Sequence, residues 1–220
     1  MWGRVTRYVS RDPKTSYAPT WDFSIESITL PVNVEKLSKT CLEKEKGIKK
    51  LPLSYYNSKV FDGYTGLGKN STTSRSSVMP NVLSWDTPET NSLKRHVKLQ
   101  VKKYNAELGN STPEHLWVRC WVNILKFGQK MKPHLHSVDP SCYLSAHFTI
   151  QAKDTSTCYI TPANQINDPY IITHENKAGM LTIFPSYIPH YTTRHYSLEP
   201  RITLAMDIVT ENWNGNWILL

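Results

Sequence analysis

The sequence predicts a mostly β fold with helices in its N-terminal half: a jelly-roll barrel supported by one or two α-helices. Three observations predict it. Six short runs rich in β-branched and aromatic residues follow one another between residues 115 and 210, separated by turn residues. Two stretches before residue 110 repeat their apolar residues at helical spacing. Two histidines one residue apart, His134 and His136, precede one β run, and a third, His190, follows another.

The first predicted elements are a strand and a helix. Residues 23–32 (FSIESITLPV) alternate in polarity as a strand does. Asn33 is a good N-cap residue, and the apolar positions after it fall on one helical face. This helix is expected to end near Gly47.

A long loop and a second helix are predicted next. Residues 54–90 are rich in Gly, Ser, Asn and Pro, and loops of that length inside a compact domain are usually functional. The helix after it has Asn91 as its expected cap and Gly109 as its stop. Its apolar residues repeat at helical spacing: Leu93, Val97, Val101, Tyr104 and Leu108.

Length and composition favour one domain, with a support region over residues 1–114, the barrel over 115–210 and a tail over 211–220. The 220 residues are 39% hydrophobic and include seven Trp and twelve Tyr, enough for a sizeable core. No run approaches the length of a transmembrane helix, and the first residues do not resemble a signal peptide. Four cysteines without CxxC spacing favour a reducing, cytoplasmic setting, or the host cytoplasm for a viral protein.

The net charge of +8 lies entirely in the N-terminal half. Residues 1–110 contain 18 Lys and Arg against 10 Asp and Glu, whereas residues 111–220 contain 8 of each. Solvated helix faces account for such an excess, and so does an acidic or nucleic-acid partner.

The histidine pair predicts a metal site. Because side chains alternate along a strand, His134 and His136 would project from the same face, as two ligands of one ion would. Gly128 stands six positions before the pair, and His190 follows a strand and a proline turn, so the barrel would bring it to the same mouth. Asp139, three residues after the pair, is an alternative ligand.

Arg201 predicts an anion site beside the metal. On a strand, Arg201 and Thr203 face one way and the intervening residues form an apolar face. A buried arginine is costly unless it is paired with an anion, and a guanidinium with a nearby hydroxyl binds a carboxylate well. A structural salt bridge to Asp139 or Glu199 is the alternative.

Two longer segments resemble a known family. The segment 184–208 (FPSYIPHYTTRHYSLEPRITLAMDI) resembles the end of the catalytic core in 2-oxoglutarate- and Fe(II)-dependent oxygenases of the prolyl-hydroxylase-like group. The segment 121–148 (WVNILKFGQKMKPHLHSVDPSCYLSAHF) resembles the W-x-N, G, H-x-H, S-x-L-S-G pattern of such oxygenases common in bacteriophage genomes. The upstream pieces ITLPV, DGYTGLGKNSTTSR and PNVLSWD are similar to the N-terminal region of that group.

The resemblance implies a double-stranded β-helix, the cupin-like form of the jelly roll, with Fe(II), 2-oxoglutarate as cosubstrate and O2. His134 and His190 match the two iron histidines of the family, and Arg201 matches the arginine that binds the far carboxylate of 2-oxoglutarate. Thr203 stands where relatives often have a Ser or Thr that assists the arginine. Asn123 is a weaker candidate for the cosubstrate pocket.

His136 departs from the family pattern. Most members have Asp or Glu at this position, which completes a two-histidine, one-carboxylate triad. Three neutral imidazoles leave the iron at +2, and the two negative charges of 2-oxoglutarate would neutralise the complex. We favour His136 over Asp139 as the third ligand because its spacing from His134 fits a strand.

Other functions share these motifs. The histidine windows also resemble those of cupins, some of which hold iron on three histidines without 2-oxoglutarate, and a three-histidine zinc site is a further alternative. A non-enzymatic jelly-roll binding or structural protein would need none of these residues. The pair Arg201 and Thr203 favours the oxygenase, because only 2-oxoglutarate requires it.

The predicted reaction is hydroxylation of a substrate C–H, with succinate and CO2 as products. A protein side chain such as prolyl is favoured as substrate, with a nucleic-acid base as second choice because of the basic N-terminal half. No membrane partner is expected.

Residues 62–76 are a candidate substrate lid because their glycines would act as hinges, and a passive surface loop is the alternative.

Overall fold

The computed structural model describes residues 3–53, 62–136, 140–163, 166–212 and 216–220. Within these ranges the chain forms two α-helices, two short 3₁₀ turns and ten strands. The elements are β1 (Arg4–Val9), β2 (Asp22–Thr29), α1 (Val34–Lys50), the 3₁₀ turns Thr73–Arg75 and Val82–Ser84, α2 (Pro88–Glu107), β3 (Trp117–Leu125), β4 (Cys142–Gln151), β5 (Ser156–Ile160), β6 (Ile171–Glu175), β7 (Met180–Pro185), β8 (His190–Thr192), β9 (Arg201–Val209) and β10 (Ile218–Leu219).

The strands form two antiparallel sheets. The larger has seven strands in the order β1-β2-β7-β4-β9-β3-β10, and the smaller has the order β6-β5-β8. Tyr159 of the small sheet packs edge-on against Phe184 of the large sheet, with ring centroids 5.0 Å apart. The sheets therefore face each other, and the predicted double-stranded β-helix is confirmed.

The two helices cover the outer face of the large sheet. Leu37 and Leu93, one from each helix, join the same buried cluster as Val118 and Val122 of β3. The other side chains of β3, at positions 119, 121 and 123, face the interior between the sheets, where they line a cavity. The helices thus stabilise the sheet from outside and leave its inner face for the site.

The helix ends differ from the prediction. Asn33 caps α1 as expected, accepting from the N–H of Lys36, but the helix continues past Gly47 to Lys50. Helix α2 begins earlier than predicted, because Thr87 forms a capping box with Thr90 and Pro88 opens the first turn. Asn91 therefore lies inside the helix.

All six predicted runs between residues 115 and 210 contain a strand. Three further strands were not predicted: β1, which pairs with β2, and the short β8 and β10. The part of the 54–90 loop that the structure describes contains the two 3₁₀ turns, and residues 54–61 lie outside the described ranges. No helix of the described residues is long and apolar enough to cross a membrane.

Candidate metal centre and its cavity

Three histidines meet at one point between the sheets. The ligand atoms of His134, His136 and His190 all lie within 4.8 Å of one another. Their ring centroids are 4.5 Å apart for His134 and His190, 5.1 Å for His136 and His190, and 5.4 Å for His134 and His136. Such a cluster has the size and donor set of a three-histidine metal site.

Backbone hydrogen bonds hold the loop of the histidine pair against the small sheet. His134 and His190 form an isolated antiparallel bridge at the first residue of β8. The N–H of His136 donates to the carbonyl of Ser186 at 3.3 Å. His134 and His136 therefore project together, as the spacing predicts, although they lie in an extended loop rather than in a long strand.

The Nδ1 atom of each imidazole is already engaged. Nδ1 of His134 lies 2.8 Å from the carbonyl of Lys132, and Nδ1 of His190 lies 3.1 Å from that of Ile188. Nδ1 of His136 contacts Oδ1 of Asp207 in a short hydrogen bond. Since a carbonyl or carboxylate only accepts, each Nδ1 carries the proton and each Nε2 keeps its lone pair for a metal.

Burial keeps His134 and His190 neutral. It lowers the pKa of His134 to about 4, with a further contribution from His136 nearby. Burial and the two neighbouring histidines also lower the pKa of His190 well below its ordinary value. Neutral imidazoles are the form that binds a metal ion, so His134 and His190 are in the binding form at neutral pH.

The cluster opens into a cavity of about 650 Å³. Arg201 lines it and is 2% exposed. Its Nη1 lies 3.5 Å from Oγ1 of Thr203, and its Nε has no partner among the described residues. Burial lowers the pKa of this guanidinium to about 10, so it remains charged at neutral pH.

The alternative role for Arg201, a salt bridge, has no support in the described residues. Glu199 is exposed and forms no ion pair with Arg201. Asp139, the other predicted partner and the alternative metal ligand, lies outside the described residues. A buried cation that faces a cavity is the donor set that a carboxylate ligand needs.

Further buried polar atoms near Arg201 lack a protein partner. Among the described residues these include Nδ1 of His147 and Oγ1 of Thr149, two inward-facing residues of β4. His147 lines the cavity, and its Nε2 bonds to the hydroxyl of Tyr159 at 3.1 Å. Unsatisfied buried polar groups are costly, so the unpartnered Nδ1 of His147, which lines the cavity, fits a cavity made for a polar ligand.

Asn123 connects the cavity to the loop of residues 62–76. The hydroxyl of Thr73 donates to Oδ1 of Asn123 at 2.6 Å, and Oγ1 of Thr72 accepts from the N–H of Ile124 at 3.3 Å. The backbone N–H of Lys132 donates to the carbonyl of Thr65 at 2.7 Å. The loop thus forms part of the cavity wall and is bonded both to β3 and to the segment just before the histidine pair.

Two residues at the centre were not predicted from the sequence. The ring of Trp121 stacks on that of His136, with centroids 5.5 Å apart and planes 20° apart, and Asp207 contacts its Nδ1. The alternation that groups Arg201 with Thr203 also places Asp207 on the same side of β9. That signal was present in the sequence, but it did not indicate which group Asp207 would contact.

Comparison with known proteins supports the predicted resemblance. Residues 119–207 match the family described as putative 2OG-Fe(II) oxygenase. The match includes all three clustered histidines, Arg201 and Thr203. A search of curated proteins gave no match.

Solved structures with the same fold include several 2-oxoglutarate enzymes. A prolyl-4-hydroxylase from Pseudomonas putida is 12% identical, with a TM-score of 0.55 over 86% of this chain and 93% of that one. A prolyl hydroxylase from Trichoplax adhaerens, in complex with a peptide of hypoxia inducible factor, is 11% identical, with a TM-score of 0.54 over 84% and 83%. The nogalamycin-biosynthesis epimerase SnoN, in complex with Fe3+ and alpha ketoglutarate, is 10% identical, with a TM-score of 0.51 over 84% and 78%.

The sequence-based prediction of the resemblance is confirmed by the family match, and that of the fold by these structures. The matched family is one of iron- and 2-oxoglutarate-dependent oxidoreductases, so the predicted class of cofactors agrees with it.

Proposed function

We propose that this chain is an Fe(II)- and 2-oxoglutarate-dependent oxygenase that holds iron on His134, His136 and His190 and anchors the cosubstrate on Arg201. One observation carries the proposal: three clustered imidazoles with free Nε2 atoms and a buried arginine line the same cavity. A metal site alone would not require the arginine, and an anion site alone would not require the imidazoles.

Arg201 has the chemistry to bind the far carboxylate of 2-oxoglutarate. Its guanidinium is buried, so its attraction for a carboxylate is screened less than at the surface. The Thr203 hydroxyl accepts a hydrogen bond from the Arg201 guanidinium at 3.5 Å, and Asn123 contributes an amide to the same wall. The near end of the cosubstrate would then reach the metal beside the histidines.

Iron with 2-oxoglutarate and O2 supplies an oxidative decarboxylation that releases succinate and CO2 and oxidises a substrate C–H bond. The protein binds the reactants, orients them and limits access of water. Ring contacts of His190 with Phe184, and of His136 with Trp121, keep the histidines in a largely apolar setting. The cavity wall formed by residues 62–65 would border the primary substrate.

We favour hydroxylation of a protein side chain, with prolyl as first choice. Two of the structural neighbours are prolyl hydroxylases, one of them bound to a peptide. One of the structural neighbours is an epimerase. The alternative to hydroxylation is therefore a reaction in which oxidation of the C–H bond leads to epimerisation. A nucleic-acid base is the second substrate class, in line with the positive excess of residues 1–110.

The test is titration of 2-oxoglutarate into the anaerobic Fe(II) protein. We expect a metal-to-ligand charge-transfer band with saturable binding. Iron binding without a band, and without calorimetric binding at millimolar 2-oxoglutarate, would favour the cupin-type alternative. Tight retention of zinc with no response to 2-oxoglutarate would favour a zinc site.

A further inference from the structure

The described ligand set contains no carboxylate, yet a carboxylate contacts one of the ligands. Asp207 lies on β9 six positions after Arg201, on the same inward face. Its Oδ1 accepts a short hydrogen bond from Nδ1 of His136. The side chains of His136 and Asp207 are 9% and 19% exposed, so water has little access to the bond.

His136 differs from the other two histidines in both of its contacts. His134 and His190 donate to backbone carbonyls, which are neutral and belong to their own loops. His136 donates to a charged group from another strand, and the indole of Trp121 stacks on its ring. The edge and the face of this imidazole are therefore both fixed by side chains.

We propose that Asp207 is a positioning residue that holds His136 and supplies through it the negative charge that the ligand set lacks. An imidazole that donates to a carboxylate becomes a stronger donor at its other nitrogen, because the hydrogen bond raises the electron density of the ring. The inference rests on the metal site of the proposed function. In a two-histidine, one-carboxylate triad the carboxylate binds the metal directly. Here the carboxylate of Asp207 would act on the metal through the imidazole of His136.

Direct coordination by Asp207 is the competing role, and the geometry disfavours it. Its oxygen is bonded at the Nδ1 edge of His136, whereas the metal-facing atom is Nε2 on the other side of the ring. Within the described residues, the atoms close enough to share one ion belong to the three histidines and not to Asp207.

The first measurement uses cobalt alone. Co(II) is titrated against a chelator into the full-length apo protein, for wild type, Asp207→Asn, Asp207→Ala and the control Glu114→Gln, an exposed carboxylate before β3. Asn keeps an acceptor for Nδ1 but loses the charge, so we expect about 10-fold weaker binding for Asp207→Asn and up to about 100-fold for Asp207→Ala. Wild-type affinity in both Asp207 variants would overturn the proposal. Where Asp207→Ala does not fold, the near-isosteric Asn variant carries the test.

The second measurement separates positioning from coordination. If Asp207 acts through His136, Asp207→Asn costs no further Co(II) affinity in a His136→Ala background. An equal cost in both backgrounds would overturn the proposal. In proton NMR of the Co(II) protein, we expect three exchangeable imidazole N–H signals, of which Asp207→Asn shifts mainly one. Three signals left unchanged by Asp207→Asn would also overturn it.

These results do not depend on the cosubstrate. If the protein binds Co(II) but its Fe(II) form shows no charge-transfer band with 2-oxoglutarate, the proposed function is contradicted. The Co(II) affinities of the Asp207 variants would still decide the role of Asp207.

Discussion

His134 and His190 are bonded to each other through their backbones. The N–H of His134 donates to the carbonyl of His190 at 3.0 Å, and the N–H of His190 donates to the carbonyl of His134 at 2.9 Å. The bridge joins the loop after β3 to the first residue of β8. Two of the three imidazoles are therefore placed side by side by the fold itself, before any metal binds, which lowers the entropy cost of binding.

We predict that removal of any one of the three imidazoles weakens metal binding, so that the reconstituted protein keeps less than one iron per chain while a weaker site remains on the other two imidazoles. His134→Ala, His136→Ala and His190→Ala each remove a donor from a three-donor set. Iron content after anaerobic reconstitution gives the answer, and Asp139→Ala is the comparison variant. Retained iron in His136→Ala together with its loss in Asp139→Ala would make Asp139 the third ligand.

The loop of residues 62–76 gives a second prediction. Thr73→Val leaves the buried Oδ1 of Asn123 without its donor, which typically costs about 1–3 kcal/mol. We expect a lower free energy of unfolding in urea and faster proteolysis within the loop. Thr20→Val, at an exposed position, is the matched control. Wild-type stability in Thr73→Val would mean that this hydrogen bond does not hold the loop.

The sequence predicted what depends on local pattern. Alternation along β9 grouped Arg201 with Thr203, and the spacing of His134 and His136 placed both on one side. It did not predict the Asp207 contact, because a hydrogen bond between β9 and the loop after β3 depends on how distant segments pack. Strand β8 was missed for a related reason, since three residues are too few to show a period.

Helix α2 shows how a local signal can mislead. Asn91 and Thr87 are both good cap residues, and the capping box formed by Thr87 and Thr90 decides between them. That choice adds a turn to the helix and buries Thr90. The preference of Asn for N-cap positions concerns one residue, whereas the capping box depends on a second residue three positions later.

Glu26 predicts a pH dependence of stability in the apo protein. Burial, reinforced by the charge of Glu107 and opposed by that of Lys103, raises the pKa of this carboxyl from 4.5 to about 7. Between these values Glu26 binds more protons in the folded state than in the unfolded state, so its contribution to stability is complete below pH 4.5 and is lost as pH rises to about 7. His134 and His190, whose pKa values are lowered, contribute in the opposite direction. After allowance for solvent screening, we expect a loss of about 1 kcal/mol from this residue.

Glu26→Gln removes the titration, so the free energy of unfolding of wild type minus that of the variant should fall by that amount as pH rises from 4.5 to about 7. Urea unfolding at half-unit pH steps measures it, with Glu114→Gln as the control for loss of an exposed carboxylate. The same slope in Glu26→Gln and wild type would assign the dependence to another group.

Arg201 gives the prediction most decisive for function. Removal of one member of a buried charge-assisted pair typically costs about 2–5 kcal/mol, or roughly 30- to 5000-fold in affinity. Arg201→Ala should therefore weaken 2-oxoglutarate binding by that order and leave iron binding nearly intact, because the guanidinium is not among the clustered metal-binding groups. Thr203→Val should act in the same direction and more mildly, by at most about 1.5–3 kcal/mol, the worth of one hydrogen bond to a charged group. Arg95→Ala, at an exposed position of α2, is the matched control and should bind iron and 2-oxoglutarate as wild type does.

The charge-transfer band of the anaerobic Fe(II) protein reports cosubstrate binding, and iron content is measured on the same samples. Wild-type 2-oxoglutarate affinity in Arg201→Ala would mean that the carboxylate binds elsewhere, and joint loss of iron and cosubstrate would mean that Arg201 holds the fold of the site rather than the ligand.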